Sequence, residues 1–200
     1  MAQNLVLVVL GRKGSGKSTL VREVIREFDR VVILDYIGEY GAEVNARVIE
    51  GFEACVHELV ENAKRPRFRL SLRVVDTDEA LRVLSVAYEL PRTLLVVEEA
   101  SVYCTPQSLP VEVARFVRFG RHREISQVYV AQRPSMLHRD ITSQADVIVS
   151  FRQHEQRDVD YLRGIMGEEA ERVRTLGDYA IVAGVNLEKA PLAVLARLKS

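Results

Sequence analysis

The chain has 200 residues, of which 48% are hydrophobic, and its formal net charge at pH 7 is zero. This length suits one domain with a sizeable core, and the balanced charge excludes a general electrostatic attraction to nucleic acid or membranes. The two cysteines and four scattered histidines form neither a disulfide framework nor a zinc pattern, which favours a reducing, cytoplasmic environment. The apolar run at 5–10 is too short to span a bilayer, so no membrane span is expected.

Strand-like and helix-like patterns alternate along the chain. Helical spacing of apolar residues predicts helices at 18–28, 111–120 and 155–165. This alternation is typical of an α/β fold with a mainly parallel sheet. Five apolar runs predict buried core strands, numbered one to five here in chain order: 5–10, 31–35, 93–99, 127–131 and 146–151.

Two further regions are less regular. Residues 67–75 alternate apolar and polar side chains and predict another strand, after which Asp76 and Glu79 form a capping box for a helix that ends before Pro91. The tail at 177–200 predicts a terminal pair of strands. We expect one domain over 1–200, with 41–92 as an insertion region.

The strongest motif follows strand one directly. The sequence GRKGSGKS at 11–18 fits the pattern G-x-x-x-x-G-K-[ST], with a strand before it and a helix after it. The glycines let backbone N–H groups curve around phosphate oxygens, at which the following helix points its positive end. Lys17 is predicted to reach the β- and γ-phosphates, and the Ser18 hydroxyl to bind Mg²⁺. The predicted nucleotide-binding residues are Gly11, Arg12, Lys13, Gly14, Ser15, Gly16, Lys17, Ser18 and Thr19.

Strand three ends in two acids. In LLVVEEA at 94–100, four apolar residues precede Glu98 and Glu99, which is the shape of a Walker B strand, although aspartate is the usual first acid. We predict that Glu98 belongs to the magnesium shell, directly or through a water. Glu99 is predicted to orient or deprotonate the attacking water. The second acid favours a hydrolase over a small-molecule kinase.

Strand four ends abruptly in polar residues. In VYVAQRPS at 128–135, apolar residues run into Gln132 and Arg133, and Pro134 stops the strand. An amide and a guanidinium at the end of a core strand indicate a polar site beside it. For Arg133 a structural ion pair and a catalytic role both remain open.

Four motifs occur in an order that points to one superfamily. After the phosphate-loop sequence come DYIGEY at 35–40, LLVVEEA, and QRP followed by SQADVIVSFR. In this order they resemble the HerA/FtsK superfamily of P-loop ATPases, over roughly residues 5–40 and 93–152. A motor core of this size is similar to the genome-packaging ATPases of membrane-containing icosahedral DNA viruses.

The resemblance implies a fold and a set of partners. It implies a RecA-like fold of the additional-strand, catalytic-glutamate type, in which helices flank a mainly parallel central sheet of strand order 5-1-4-3-2. Gln132 would sense the γ-phosphate, with ATP as the substrate and Mg²⁺ as the cofactor. The implied partners are double-stranded DNA, a homo-oligomeric ring (hexamer or pentamer), and viral capsid or membrane proteins. The implied location is the host cytoplasm or the virion vertex.

In such rings a neighbouring subunit supplies an arginine to the active site. Arg121, in RFGRHRE at 118–124, matches the arginine of the corresponding stretch in the family. Arg118, Arg123 and Arg152 are alternatives, and a structural or DNA-facing role for Arg121 stays open.

Several roles and functions remain open at this point. Basic clusters at 64–73 and 115–123 are candidates for contact with duplex DNA or a neighbouring subunit, or are solvated faces. Asp35 and Glu39 either orient the loop after strand two or take part in the site. The possible functions are a viral packaging motor, a cellular HerA-like or conjugation-type DNA pump, and a nucleotide-dependent switch or scaffold with little turnover. The pair of Glu99 and Gln132 counts against the switch.

Overall fold

The structure is a computed structural model, and it describes residues 4–198. The termini of the predicted domain, 1–3 and 199–200, lie outside this range. The strands are β1 (Val6–Leu10), β2 (Arg30–Leu34), β3 (Arg47–Glu50), β4 (Phe68–Arg73), β5 (Leu94–Val97), β6 (Ser126–Ala131), β7 (Val147–Ser150) and β8 (Val182–Val185). The α-helices are α1 (Lys17–Arg26), α2 (Phe52–Asn62), α3 (Thr77–Ala87), α4 (Val111–Phe119), α5 (Arg139–Ser143), α6 (Gln156–Met166) and α7 (Leu192–Leu198).

The strands form one sheet in the order β3-β4-β2-β5-β6-β1-β7-β8. Neighbouring strands are parallel, except that β8 runs antiparallel to β7. The predicted core strands one to five are β1, β2, β5, β6 and β7, and among themselves they follow the order 5-1-4-3-2. The predicted fold class is therefore confirmed. The sheet is larger than the predicted order, because β3 and β4 extend it beyond β2 and β8 extends it beyond β7.

The prediction of two terminal strands is half wrong. Residues 182–185 form a strand, but 192–198 form α7. The N–H groups of Leu192 and Ala193 donate to the carboxylate of Glu27, which directly follows the neighbouring α1, at 3.3 and 3.0 Å. An acid at the amino end of a helix favours the helix. Val194 is the buried residue of α7 and packs against the sheet. A strand would instead bury every second residue of this stretch.

Residues 41–92 extend the central sheet. They contain β3, α2, β4 and α3, and β4 pairs directly with β2. The predicted cap of α3 is confirmed, because Asp76 Oδ1 accepts a hydrogen bond of 2.9 Å from the N–H of Glu79. The helix ends at Ala87, before Pro91.

The two faces of the sheet are covered by different helices. Along β1, Val6, Val8 and Leu10 pack on one side with buried residues of α2, α3, α4 and α6, while Leu7 and Val9 pack on the other with α1 and α7. A sheet buried on both faces explains why its core strands read as continuous apolar runs. Within residues 4–198 no helix is both long and apolar enough to cross a membrane.

Candidate active site

Loops that follow four strands meet at the carboxyl edge of the sheet. Leu10 of β1 lies opposite Ala131 of β6, and Leu34 of β2 lies opposite Val97 of β5. The residues that come next therefore stand along one edge, which is where open α/β sheets bind ligands. They are Gly11, Asp35, Glu98 and Gln132.

The loop between β1 and α1 is shaped to hold an anion. Gly14 and Gly16 have φ angles of 78° and 101°, in the left-handed region that favours glycine. Gly11 leaves no room for a side chain, since an added Cβ would lie 2.6 Å from Ser15 Oγ. No side chain caps the amino end of α1 and no acid lies in its first turn, where Thr19 is exposed. Ser15 Oγ is buried, and no described residue forms a hydrogen bond with it; a phosphate oxygen would supply that partner.

Lys17 is the buried cation of the site. It is 7% exposed, and its Nζ donates to the carbonyl of Arg12 in the loop at 3.1 Å. Burial lowers the pKa of Lys17, and the charges of Glu98, Glu99 and Glu39 oppose that shift. An ammonium between the loop and these carboxylates is suited to bind the oxygens of a phosphate chain.

Glu98 is buried behind Tyr40. It is 2% exposed and accepts a hydrogen bond of 2.5 Å from the hydroxyl of Tyr40, which is itself fully buried. Burial raises the pKa of Glu98 to about 7; the Tyr40 hydrogen bond lowers it, and the charges of Glu39 and Glu99 raise it. A cation bound at this carboxylate would favour the ionised form.

Asp35 builds the loop that carries Tyr40. Its fully buried carboxylate accepts hydrogen bonds from the N–H groups of Gly38 and Glu39 at 2.9 Å and of Tyr40 at 3.2 Å. These bonds hold the loop against α1, where the Ser18 hydroxyl donates to the Glu39 carboxylate. Asp35 therefore has the orienting role, and Glu39 reaches the site itself.

Glu99 and Gln132 are in direct contact. Glu99 has a φ of 45°, a left-handed conformation that is rare and costly for a non-glycine residue and that clusters at functional sites. Gln132 Nε2 donates to Glu99 Oε1 at 2.8 Å. Because β5 and β6 are neighbours in the sheet, the carboxylate expected to orient water and the amide expected to sense phosphate stand side by side.

Three solved structures are similar to this chain over most of its length. The genome-packaging NTPase B204 of Sulfolobus turreted icosahedral virus 2, in complex with AMP, is 18% identical over 95% of this chain and 96% of its own, with a TM-score of 0.75. VirB4 of Thermoanaerobacter pseudethanolicus is 14% identical over 94% and 90%, with a TM-score of 0.66. The pCW3 conjugation coupling protein TcpA with ATPγS is 15% identical over 91% and 58%, with a TM-score of 0.54. A scan against family models and a search of curated proteins give no match.

The chain has a RecA-like P-loop NTPase fold. The resemblance that the motifs indicated is thereby confirmed at the level of the fold. The match to B204 leaves only 5% of this chain uncovered, so it extends over most of 41–92.

A magnesium ion suits the oxygen ligands that this P-loop NTPase fold brings together. Ser18 and Glu98 are the predicted ligands, and the structure adds the carboxylate of Glu39 beside the Ser18 hydroxyl. Within residues 4–198 no group of three or more His, Cys, Asp or Glu side chains is arranged to hold an ion alone. Mg²⁺ is usually bound by one or two carboxylates together with substrate phosphates, whose charge it neutralises. The residues therefore fit an ion that is shared with a nucleotide.

A cavity of about 290 Å³ adjoins the exposed side of the phosphate loop. Arg12 and Lys13 line it from the loop, Arg152 from the end of β7, and Tyr179 from the tail. The Tyr179 ring lies so close to Gly16 that an added Cβ would approach its Cδ1 to 2.7 Å. This cavity can receive the part of a nucleotide that extends beyond its phosphates.

Four of the candidate arginines lie in ion pairs, and two of these pairs, at Arg133 and Arg121, bear on the site. Arg133 Nε donates to Asp158 at 2.8 Å, which is a structural role. Arg121 Nη2 lies 2.6 Å from Asp146, which also accepts from the N–H of Val6 at the start of β1. The phosphate loop follows the other end of this five-residue strand, roughly 16 Å away. Arg121 is therefore not part of its own chain's site.

Most arginines of the two basic clusters are used inside the chain. The four at 115–123 pair with carboxylates, and the three at 67–73 contact carboxylates or backbone carbonyls. These contacts are Arg115–Glu89, Arg118–Asp140, Arg121–Asp146, Arg123–Glu89, Arg67–Asp29, Arg73–Glu50, and Arg69 with the carbonyls of Phe28 and Val44. Lys64 and Arg65 line a separate cavity.

Sequence reasoning assigned no role to Tyr40, Ser71 or Tyr179. Tyr40 ends the motif DYIGEY, which was a usable signal. Ser71 is a fully buried polar residue of β4, and its hydroxyl donates to Asp35 at 2.8 Å. Tyr179, with a φ of 64°, lies in the tail, where no pattern marks it.

Proposed function

We propose that this chain is an ATP-hydrolysing translocase of double-stranded DNA, of the type that packages viral genomes. The observation that carries the proposal is the contact between Gln132 and Glu99 at the same edge as Lys17. A protein that only binds nucleotide needs the loop and its lysine. An amide that is hydrogen-bonded to a second carboxylate, on a residue with a strained backbone, is suited to hydrolysis.

The proposed roles follow from the contacts. The loop N–H groups and Lys17 hold the β- and γ-phosphates, and Ser18 and Glu98 hold Mg²⁺, with Glu39 as a further oxygen beside Ser18. Glu99 orients or deprotonates the attacking water. When ATP is bound, the Gln132 amide donates to the γ-phosphate instead of to Glu99. Binding of ATP therefore releases the Glu99 carboxylate to act on water.

The proposal includes a homo-oligomeric ring that encloses duplex DNA. Arg121 cannot serve its own phosphate loop, so an arginine finger would have to reach a neighbouring subunit. Asp146 keeps Lys189 at 2.7 Å and the N–H of Val6 at 2.9 Å if Arg121 leaves it. The half-exposed Arg121 can therefore move to a partner without stranding a buried carboxylate.

A conjugation-type pump is the second candidate. The similarity to TcpA, a conjugation coupling protein, supports it, but this chain covers 58% of that protein. The similarity to B204, a genome-packaging NTPase, extends over 96% of that chain. The TM-score of 0.75 with B204, against 0.54 with TcpA, therefore favours the packaging motor, with viral capsid or membrane proteins as its further partners.

The test is the rate of ATP hydrolysis with increasing duplex DNA, alongside the native mass. We expect a ring, and a rate that rises when duplex DNA is added. A nucleotide-dependent switch would bind ATP with turnover close to background, with or without DNA. Turnover that is independent of protein concentration down to the monomer would contradict the ring.

A further inference from the structure

A second cavity, of about 680 Å³, opens at the amino edge of the sheet, opposite the phosphate loop. It lies where β2, β5 and β6 begin and where the turn at 63–66 leads into β4. Its lining has a net positive charge, although the chain as a whole has none. The charged lining residues are Arg30, Lys64, Arg65 and Arg92 against Asp29 and Glu124.

Arg30 has only neutral partners in the described part of the chain, among them the Phe68 ring, whose centroid lies 4.7 Å from the guanidinium carbon. Its guanidinium donates to neutral oxygens: Thr93 Oγ1 at 3.4 Å, the carbonyl of Ala63 at 3.1 Å, and the carbonyl of Arg65. No ion pair joins it to a carboxylate within residues 4–198. Burial lowers the pKa of Arg30, and the like charge of Arg92 lowers it further. Two guanidinium groups that repel each other in a concave site would be stabilised by an anion.

Arg92 is held in a strained backbone conformation. Its φ is 55°, in the left-handed region, and its N–H donates to the carbonyl of Arg123 at 3.1 Å. Glycine would make the same turn and the same hydrogen bond without strain. The turn therefore does not require arginine, which indicates that the Arg92 side chain has a role of its own. Non-glycine residues with such backbone angles are concentrated at functional sites.

The two carboxylates of the lining, Asp29 and Glu124, cancel only part of the charge of its four basic side chains. Asp29 also pairs at 3.4 Å with Arg67, which does not line the cavity. Among the described residues, Phe28 contributes the one aromatic ring of the lining, which is too few for stacking of successive bases. Guanidinium groups and an ammonium on a concave surface are suited to phosphate oxygens.

We propose that this cavity binds phosphate groups of the DNA backbone, with Lys64, Arg65 and Arg92 as the donors. The proposal rests on the proposed function and adds to it the place on the chain where DNA binds. DNA and ATP would occupy opposite edges of one sheet, so both can be bound at once. Free polyphosphate shares the chemistry, and the experiment separates the two sources.

Binding of a labelled duplex, measured by anisotropy over a range of salt concentrations, tests the proposal. We expect Lys64→Ala/Arg65→Ala to weaken binding roughly tenfold or more at low salt, with a reduced salt slope. Arg92→Gly should reduce the slope by about 1 and raise the melting temperature, because the strain is relieved. Arg157→Ala, which removes an exposed charge on α6, is the matched control and should change little. ATP hydrolysis without DNA should be unchanged in all of them.

Wild-type affinity and slope in both cavity variants would overturn the proposal, as would an equal loss in Arg157→Ala. A lower melting temperature in Arg92→Gly would make Arg92 structural and contradict its role.

If the wild-type chain binds no duplex, the DNA part of the proposed function fails separately. Calorimetry with tripolyphosphate on Lys17→Ala, whose phosphate loop is disabled, then decides. Binding that Arg92→Gly abolishes assigns the cavity to free polyphosphate, and no binding overturns it.

Discussion

Two buried carboxylates at opposite edges of the sheet show how this protein distributes charge. Asp146, at the amino edge, is 7% exposed and has two cations on one oxygen, Arg121 at 2.6 Å and Lys189 at 2.7 Å. Glu98, at the carboxyl edge, is 2% exposed and accepts from the neutral hydroxyl of Tyr40. The first carboxylate is compensated within the fold, and the second is not.

The raised pKa of Glu98 reflects this difference between the two carboxylates. Burial raises its pKa to about 7, the charges of Glu39 and Glu99 add to the effect, and Lys17 opposes it. The carboxyl edge thus holds unfavourable electrostatics that a magnesium nucleotide would relieve, whereas the amino edge near Asp146 is built for stability. Functional sites commonly hold such costs, which the rest of the fold must offset.

The largest expected effect is at the cation of the carboxyl edge. Lys17→Ala should abolish nucleotide binding or hydrolysis, because it removes the buried ammonium that faces three carboxylates. Lys13→Ala removes an exposed side chain but keeps the backbone N–H that the loop offers to phosphate, so this comparison variant should retain most activity. Fluorescent-nucleotide binding and phosphate release measure both. Wild-type turnover in Lys17→Ala would contradict the phosphate-loop assignment.

The next effect separates the two cations at Asp146. If Arg121 acts in a neighbouring site, Arg121→Ala should slow hydrolysis by roughly 10³–10⁵. Lys189→Ala removes the other cation from the same oxygen and should leave hydrolysis intact. Both variants should lose similar, small amounts of stability.

Mixing provides the second measurement for Arg121. Subunits with Arg121→Ala and subunits with Lys17→Ala should each be inactive alone. Mixed rings should recover activity at interfaces that join an intact loop to an intact arginine. Normal hydrolysis by Arg121→Ala alone would leave it only the structural pair with Asp146.

A smaller loss is expected at the water-orienting carboxylate. Glu99→Gln should still bind ATP and Mg²⁺ but hydrolyse ATP more slowly by roughly 10²–10⁴, since an amide cannot act as a base. Gln132→Ala, which removes the donor to Glu99 but keeps the carboxylate, should lose less. Single-turnover rates check both. If Glu98→Gln abolished chemistry while Glu99→Gln stayed active, the two roles would be reversed.

The two edges also differ in how far the sequence predicted them. The phosphate loop and the acids after strand three were predictable, because each follows an apolar run that is buried on both faces. The short edge strand β3 was not, since of its four residues only Ile49 is buried. The stretch LAVLARL fits an alternating strand about as well as a helix, and the contact of α7 with Glu27 decided between them.

Contacts within the site were less predictable than its members. Tyr40 and Glu98 are 58 positions apart, and their hydrogen bond depends on β2 and β5 being neighbours. The ion pair of Arg121 with Asp146 at the amino edge likewise depends on tertiary structure. Periodicity finds the arginines at 115–123, but it cannot tell a DNA-facing guanidinium from one that reaches Asp146.

The smallest expected effect concerns the stability of the nucleotide-free protein against pH. The pKa of Glu98 is about 7 in the fold, against an ordinary value of 4.5. The folded chain therefore binds the proton more tightly than the unfolded chain does. The contribution of Glu98 to stability is fully present below pH 4.5 and is lost as the pH rises through 7. The loss over that window is on the order of 3 kcal/mol, from the free energy of a unit pKa shift.

Glu98→Gln should remove this dependence, because the amide does not titrate and can still accept from Tyr40. Urea unfolding in the presence of a chelator, at pH 5 and pH 8, measures it. We expect the variant to gain stability relative to the wild-type chain on going from pH 5 to pH 8. Asp146→Asn is the comparison from the amino edge, and it should be destabilising at both pH values because it leaves Arg121 and Lys189 without their carboxylate. Parallel pH profiles for Glu98→Gln and the wild-type chain would contradict the view that the carboxyl edge holds an uncompensated charge.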